Sequence, residues 1–202
     1  MDFLKRKLQQ FQDYDDIAEI SEMARRYFVM NAFDGTLTII GVLTGSYVAD
    51  VKSPSVVIST GLATSVAMGI SGLWGAYFTE TAERRRDLGE LEDHTLINLS
   101  KTKIGQASRV AGFTVALVDG FAPFLAALVA LLPFFFSSSL GDVYLCYYFS
   151  LTIALLSLFG LGAFLGMVSQ GNIILWGLKM LGAGLLSIAL GYVLGGKADE
   201  PR

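Results

Sequence analysis

Residues 110–136 read VAGFTVALVDGFAPFLAALVALLPFFF, and the fold class turns on how that run is read. It holds one charged residue, Asp119. At about 1.5 Å of rise per residue, a helix of this length crosses the roughly 30 Å hydrocarbon core of a bilayer. A lone apolar strand could not satisfy its backbone groups in lipid, so the run reads as helix. Similar stretches flank it. Residues 28–49 read FVMNAFDGTLTIIGVLTGSYVA and residues 55–79 read SVVISTGLATSVAMGISGLWGAYFT, and further apolar runs occupy 143–168 and 173–195. Only 16% of the chain is charged, against about 25% in a soluble domain. The expected fold is an all-α integral membrane protein with five transmembrane helices.

The charges collect outside these runs. Residues 1–27 carry Phe3, Leu4, Leu8, Phe11, Tyr14, Ile17, Ala18 and Met23 at roughly helical spacing, which predicts a cytosolic or interfacial amphipathic helix. No apolar core and cleavage site follow it, so it does not read as a signal peptide. Residues 28–79 hold the first two spans, 80–108 form an acidic cytosolic helical segment, 109–196 hold the last three spans, and 197–202 are a polar tail. Lys5, Arg6, Lys7, Arg25 and Arg26 precede the first span. Arg84, Arg85, Arg86, Lys101, Lys103 and Arg109 lie between the second and third, while the first loop has only Lys52. This asymmetry predicts a cytosolic N-terminus and a cytosolic 80–108 segment. A multi-pass protein of this kind belongs in the cell membrane of a prokaryote.

Composition also narrows the function. The single cysteine, Cys146, excludes an intrachain disulfide, and a net charge of −3 points to no nucleic-acid partner. There is no phosphate-binding glycine loop, no HExxH and no paired nucleophile and base, so an enzyme is not expected. Small residues four apart, among them Ser65/Gly69, Ser71/Gly75, Gly162/Gly166 and Gly191/Gly195, permit close helix contact within a monomer or across a dimer.

Few residues inside the spans could carry chemistry. Asp34 is a carboxylate within the first span, and such groups face a cavity, a partner or an ion path. Asn31 lies one turn before it and Thr38 one turn after. Asp119 and Gly120 form a second Asp-Gly pair in the third span, echoing Asp34 and Gly35, and Pro123 follows it as a kink site. A carboxylate placed there could alternate between a proton and a metal, or pair structurally. Met68 and Thr64, one turn apart in the second span, offer a thioether and a hydroxyl. In the charged segment, Glu80, Glu83, Asp87, Glu90 and His94 recur at intervals of three and four, which puts them on one helix face. Carboxylates with an imidazole suit divalent manganese, iron or zinc. Arg84, Arg85 and Arg86 offer the alternative of a salt-bridged solvent face.

The run Phe33-Asp34-Gly35-Thr36-Leu37-Thr38, opening a first span after a basic pair, resembles the vacuolar iron transporter family. So do Gly61-Leu62-Ala63, Ser71 and Gly75-Ala76-Tyr77 leading into an acidic helix, Leu132-Pro133-Phe134, and Gly166, Gly171-Asn172, Leu178-Lys179 and Gly182. The resemblance covers roughly residues 25–195, and it implies a vacuolar-type organelle membrane if the source is a eukaryote. It implies a homodimer exchanging divalent cations for protons, with Asp34 as the central ligand at the dimer interface. It also implies cytosolic carboxylates, here Glu80, Glu83, Asp87 and Glu90, that gather metal before transport. Three departures stand out. Thr64 replaces a glutamate often found in that family, Gly72 replaces a methionine, and Asp119 has no counterpart.

The expected function is therefore proton-coupled transport of Fe2+ or Mn2+, with Zn2+ as a further cargo and no permanently bound cofactor. The partners are membrane lipids, metal ions, protons and a second copy of the chain. The alternative is a non-transporting membrane scaffold or regulatory subunit whose acidic helix binds a protein.

Overall fold

The computed structural model describes residues 2–196, with side chains described for 9 and 11–195. The expected polar tail, 197–202, and the side chains of Lys5, Arg6 and Lys7 lie outside the described residues. Among the described residues seven helices follow in order: α1 (Asp2–Ala18), α2 (Ile20–Val48), α3 (Pro54–Thr95), α4 (Lys103–Phe135), α5 (Ser137–Leu140), α6 (Val143–Val168) and α7 (Ile173–Gly196). No strand occurs among the described residues. Five of them, α2, α3, α4, α6 and α7, are long and apolar enough to cross a membrane.

Two boundaries differ from the sequence reading. The amphipathic segment expected over 1–27 is two helices, broken at Glu19, whose φ of 50° lies in the left-handed region. The break is held by Asp15, whose carboxylate accepts the Ser21 N–H at 2.6 Å and the Ser21 hydroxyl at 2.7 Å. These two hydrogen bonds do for α2 what an N-cap does, and they hold the Asp15 carboxyl below its ordinary range. The second is the start of α4, at Lys103 and so seven residues before the run at 110–136, while α3 runs unbroken through Gly89 to Thr95 and carries the second span into the acidic segment in one helix. Leu96, with φ 54°, ends it.

The chain divides into two compact units. Unit 1 comprises Met1–Phe28 and Ile70–Phe121, and unit 2 comprises Val29–Gly69 and Ala122–Arg202. In unit 1, Tyr14 and Ile20 pack against Ala107 and Ala111 of α4. Tyr14 donates its hydroxyl to Gln106 at 2.8 Å, and Lys103 pairs with Asp13 at 2.9 Å. These contacts dock α1 on the first turns of α4.

Unit 2 has the larger apolar core, centred on Ile39, Ile40, Leu43, Leu131, Phe134 and Leu158. Helices α6 and α7 form an antiparallel hairpin across the turn at 169–172. A Cβ at Gly162 would lie 2.5 Å from the Trp176 carbonyl oxygen, and one at Gly166 would lie 2.8 Å from the Ile173 Cα. Only glycine permits that approach, which is the packing mode expected of helices in lipid. Gly191 and Gly195 instead receive the side chains of Thr44 and Val48 of α2. The Gly162/Gly166 and Gly191/Gly195 spacings are thus used within the chain, whereas nothing lies within 4 Å of a Cβ at Gly75. One end of unit 2 is closed by aromatic rings. Tyr47 contacts Tyr144, Tyr147, Tyr148 and Tyr192, and the Tyr147 hydroxyl donates to the Val51 carbonyl at 2.9 Å.

Candidate functional site

In unit 2, α2 presents Asp34 at its surface. The side chain is exposed and makes no hydrogen bond or ion pair with another described residue. The neighbouring residue is placed the opposite way. Gly35 is buried, and a Cβ there would lie 2.5 Å from the Pro123 Cα of α4. Any larger residue would push the two helices apart, so the Asp-Gly pair couples an outward carboxylate to a tight helix crossing. Asn31 and Thr38 flank Asp34 on α2, both half-buried. Thr36, between them, is fully buried and donates to the Ala32 carbonyl at 2.7 Å. Thr64 and Met68 are half-buried on α3, and Thr64 donates its hydroxyl to the Thr60 carbonyl at 2.8 Å, which leaves its oxygen lone pairs available.

In unit 1, Asp119 of α4 is 94% buried, with a relative exposure of 6%. It lies over Gly72 of α3. A Cβ at Gly72 would be 2.8 Å from the Asp119 Oδ2 and 3.1 Å from its main-chain oxygen. The carboxylate therefore occupies the space that a side chain at position 72 would fill. Pro123, four residues on, has no N–H to donate to the Asp119 carbonyl, so the ordinary helical bond onto that oxygen is not made.

The carboxylate face of α3 is divided. Glu80 is buried, with Tyr27 donating to its Oε1 at 3.0 Å and Arg84 Nε donating to its Oε2 at 3.2 Å. Arg84 is itself largely covered and reaches the Met23 sulfur at 3.2 Å. Glu90 is exposed and pairs with Arg86 at 3.0 Å. Glu83, Asp87 and His94 are exposed. Among the described residues, no group of three or more His, Cys, Asp and Glu side chains is placed to hold a metal ion. The five residues expected to form one cytosolic metal site are not gathered into one. The reason is local: Arg84 sits one turn after Glu80, and Arg86 one turn before Glu90, so arginines reach the carboxylates first. Glu80, Glu83 and Asp87 do share one cavity of about 350 Å³, together with Glu19, Met23 and Arg26.

No family model matches the chain. The uncharacterized protein MJ0645 of Methanocaldococcus jannaschii is 31% identical to it over 172 residues, covering 84% of this chain and 86% of that protein. The chain belongs to the family of that archaeal protein. The shared stretch is longer than either compact unit and so takes in residues of both.

Beyond the residues the sequence reading singled out, the structure adds Tyr27, Met23 and Glu19 around Glu80. Arg84 was legible as a salt-bridge partner from its spacing. Tyr27 was not, because it lies 53 residues from Glu80 and its hydroxyl carries no pattern.

Proposed function

We propose that this chain is a proton-coupled transporter of divalent metal cations, with iron or manganese as cargo, acting as a homodimer with its N-terminus in the cytosol. The observation that carries this reading is Asp34. A carboxylate in a helix apolar enough to span a membrane, exposed and without a partner among the described residues, is too costly to leave facing hydrocarbon. A cation, a proton, water or a second copy must meet it. The resemblance around Phe33-Asp34-Gly35 assigns it the role of central ligand, and its exposure suits a path formed between two copies.

The other residues fit supporting roles. Glu19, Glu80, Glu83 and Asp87 around one cavity raise the local concentration of cations. Asp119, in the space above Gly72, takes the place of the methionine expected there, replacing a soft thioether by a hard carboxylate. That exchange favours manganese over softer metals. Protonation of Asp34 and Asp119 from the opposite side would release the ion.

The test is metal and proton flux in proteoliposomes across a panel of divalent cations. Wild type is expected to move Mn2+ or Fe2+ against protons, Asp34→Ala to abolish both fluxes, and Asp119→Met to shift preference toward softer metals. Flux that persists in Asp34→Ala overturns the reading.

One observation favours a second reading, a regulatory or scaffold subunit: arginines already neutralise Glu80 and Glu90 on the acidic helix. In that case no flux is seen, and Asp34→Asn alters thermal stability without any effect of metal.

A further inference from the structure

Unit 1 contains a second and larger cavity, of about 460 Å³, between α3 and the start of α4. It differs from the acidic cavity in charge. Arg84, Arg85 and Arg109 line it, and no aspartate or glutamate does. Arg84 is balanced by Glu80. The other two are not balanced. Arg85 is exposed and makes no ion pair among the described residues. Arg109 donates only to neutral acceptors, the Gly105 carbonyl at 3.2 Å and the Ser100 carbonyl at 2.8 Å. The wall therefore carries two uncompensated guanidinium charges, with the hydroxyls of Thr81, Ser100 and Ser108 beside them. Guanidinium groups and hydroxyls together are donors suited to phosphate oxygens.

The rest of the lining says where such a phosphate comes from. It is apolar: Tyr77, Leu88 and Phe113, with Gly105 and Gly112. Phe113 is 58% exposed, and Trp74 and Phe78, stacked 5.7 Å apart on α3, are 54% and 63% exposed. Along α3 the cavity sits where the apolar span gives way to the charged segment. Exposed aromatic rings on one side and arginines on the other mark the level of the headgroups in a bilayer.

We propose that this cavity binds the phosphate headgroup of an anionic membrane lipid, with its acyl chains lying along Phe113, Trp74 and Phe78. Pockets of basic residues between helices at the cytosolic face are suited to such lipids. The site rests on the membrane placement proposed above and is independent of metal transport.

The full chain is reconstituted in phosphatidylcholine nanodiscs, and its retention of phosphatidylglycerol is measured by native mass spectrometry and by thermal shift. Incorporation into the nanodisc tests the membrane placement separately from the site. Phosphatidylglycerol is expected to bind in preference to phosphatidylcholine, and glycerol 3-phosphate in solution is expected not to displace it. Arg85→Gln is expected to weaken phosphatidylglycerol binding about fivefold. Arg86→Gln, one residue away but outside the cavity, is expected to leave it unchanged. Arg109→Gln should weaken it too, although this residue also ties down two carbonyls, so Arg85 is the deciding variant. Equal binding of the two lipids, equal losses in Arg85→Gln and Arg86→Gln, or displacement by glycerol 3-phosphate would each overturn the proposal.

Discussion

The two units hold their helices together with different chemistry. Unit 1 matches polar groups across helices: Glu80, paired with Arg84 on its own helix, with Tyr27, Asp13 with Lys103, and Tyr14 with Gln106. Unit 2 relies on apolar shape. Its glycines let α6 and α7 touch backbone to backbone, and two of its hydroxyls, on Thr44 and Ser150, are fully buried with no hydrogen-bond partner among the described residues. The contrast suits the membrane placement proposed above. Segments rich in charge can be stitched by ion pairs. In lipid, association depends on close van der Waals packing, because hydrocarbon outside is as apolar as the core inside.

The largest loss comes from breaking the ion pair at the heart of unit 1. Arg84→Ala leaves Glu80 buried without its cation and should cost about 3–5 kcal/mol. The double change of Glu80→Leu with Arg84→Met should recover most of it. Thermal unfolding of the detergent-solubilised chain measures both, and a loss under about 1 kcal/mol for the single variant would place unit 1 with unit 2 as a shape-packed body.

Next in size is the tight seam of unit 2. Gly162→Val puts a methyl-bearing carbon against the Trp176 carbonyl, which cannot yield as a side chain would, and should cost about 1–3 kcal/mol. Gly160→Ala, where nothing lies within 4 Å of the new Cβ, is the control and should leave the melting temperature almost unchanged. Similar losses at both positions would remove the case for shape packing.

A smaller effect of opposite sign is expected at the unmatched hydroxyls. Thr44→Val and Ser150→Ala each delete a buried polar atom without a partner, so stability should hold or rise by up to about 1 kcal/mol. A clear loss in either variant would mean that the hydroxyl has a ligand in the folded protein.

The smallest effect is at the junction of α1 and α2. Asp15 has its pKa lowered below the ordinary 3.8 by the Ser21 hydroxyl and N–H. Its contribution is therefore full above that value and fades as pH falls through the lower folded one. Amide exchange at the junction should quicken in acid, and Ser21→Ala should flatten that dependence.

Much of this architecture could be read in advance. The runs at 143–168 and 173–195 coincide with α6 and α7 almost residue for residue. The break at Glu19 was missed because both sides carry helical periodicity and the turn residue is not glycine; the signal lay in the spacing of Asp15 and Ser21. The single face of Glu80, Glu83, Asp87, Glu90 and His94 was legible, but its chemistry was not. Spacing shows which residues share a face, while the choice between a metal and an arginine depends on what packs against that face.

Span number and helical class follow from local composition, because hydrophobic length and backbone hydrogen bonding are met within each segment. The fate of each carboxylate does not. Asp34 and Glu80 are both acidic residues on helices apolar enough to span a membrane, yet one stands exposed and unpaired among the described residues and the other is locked by a tyrosine 53 residues distant and an arginine one turn on. Desolvation and pairing are set by whichever distant segments arrive beside a side chain, and that information exists only once the helices have packed.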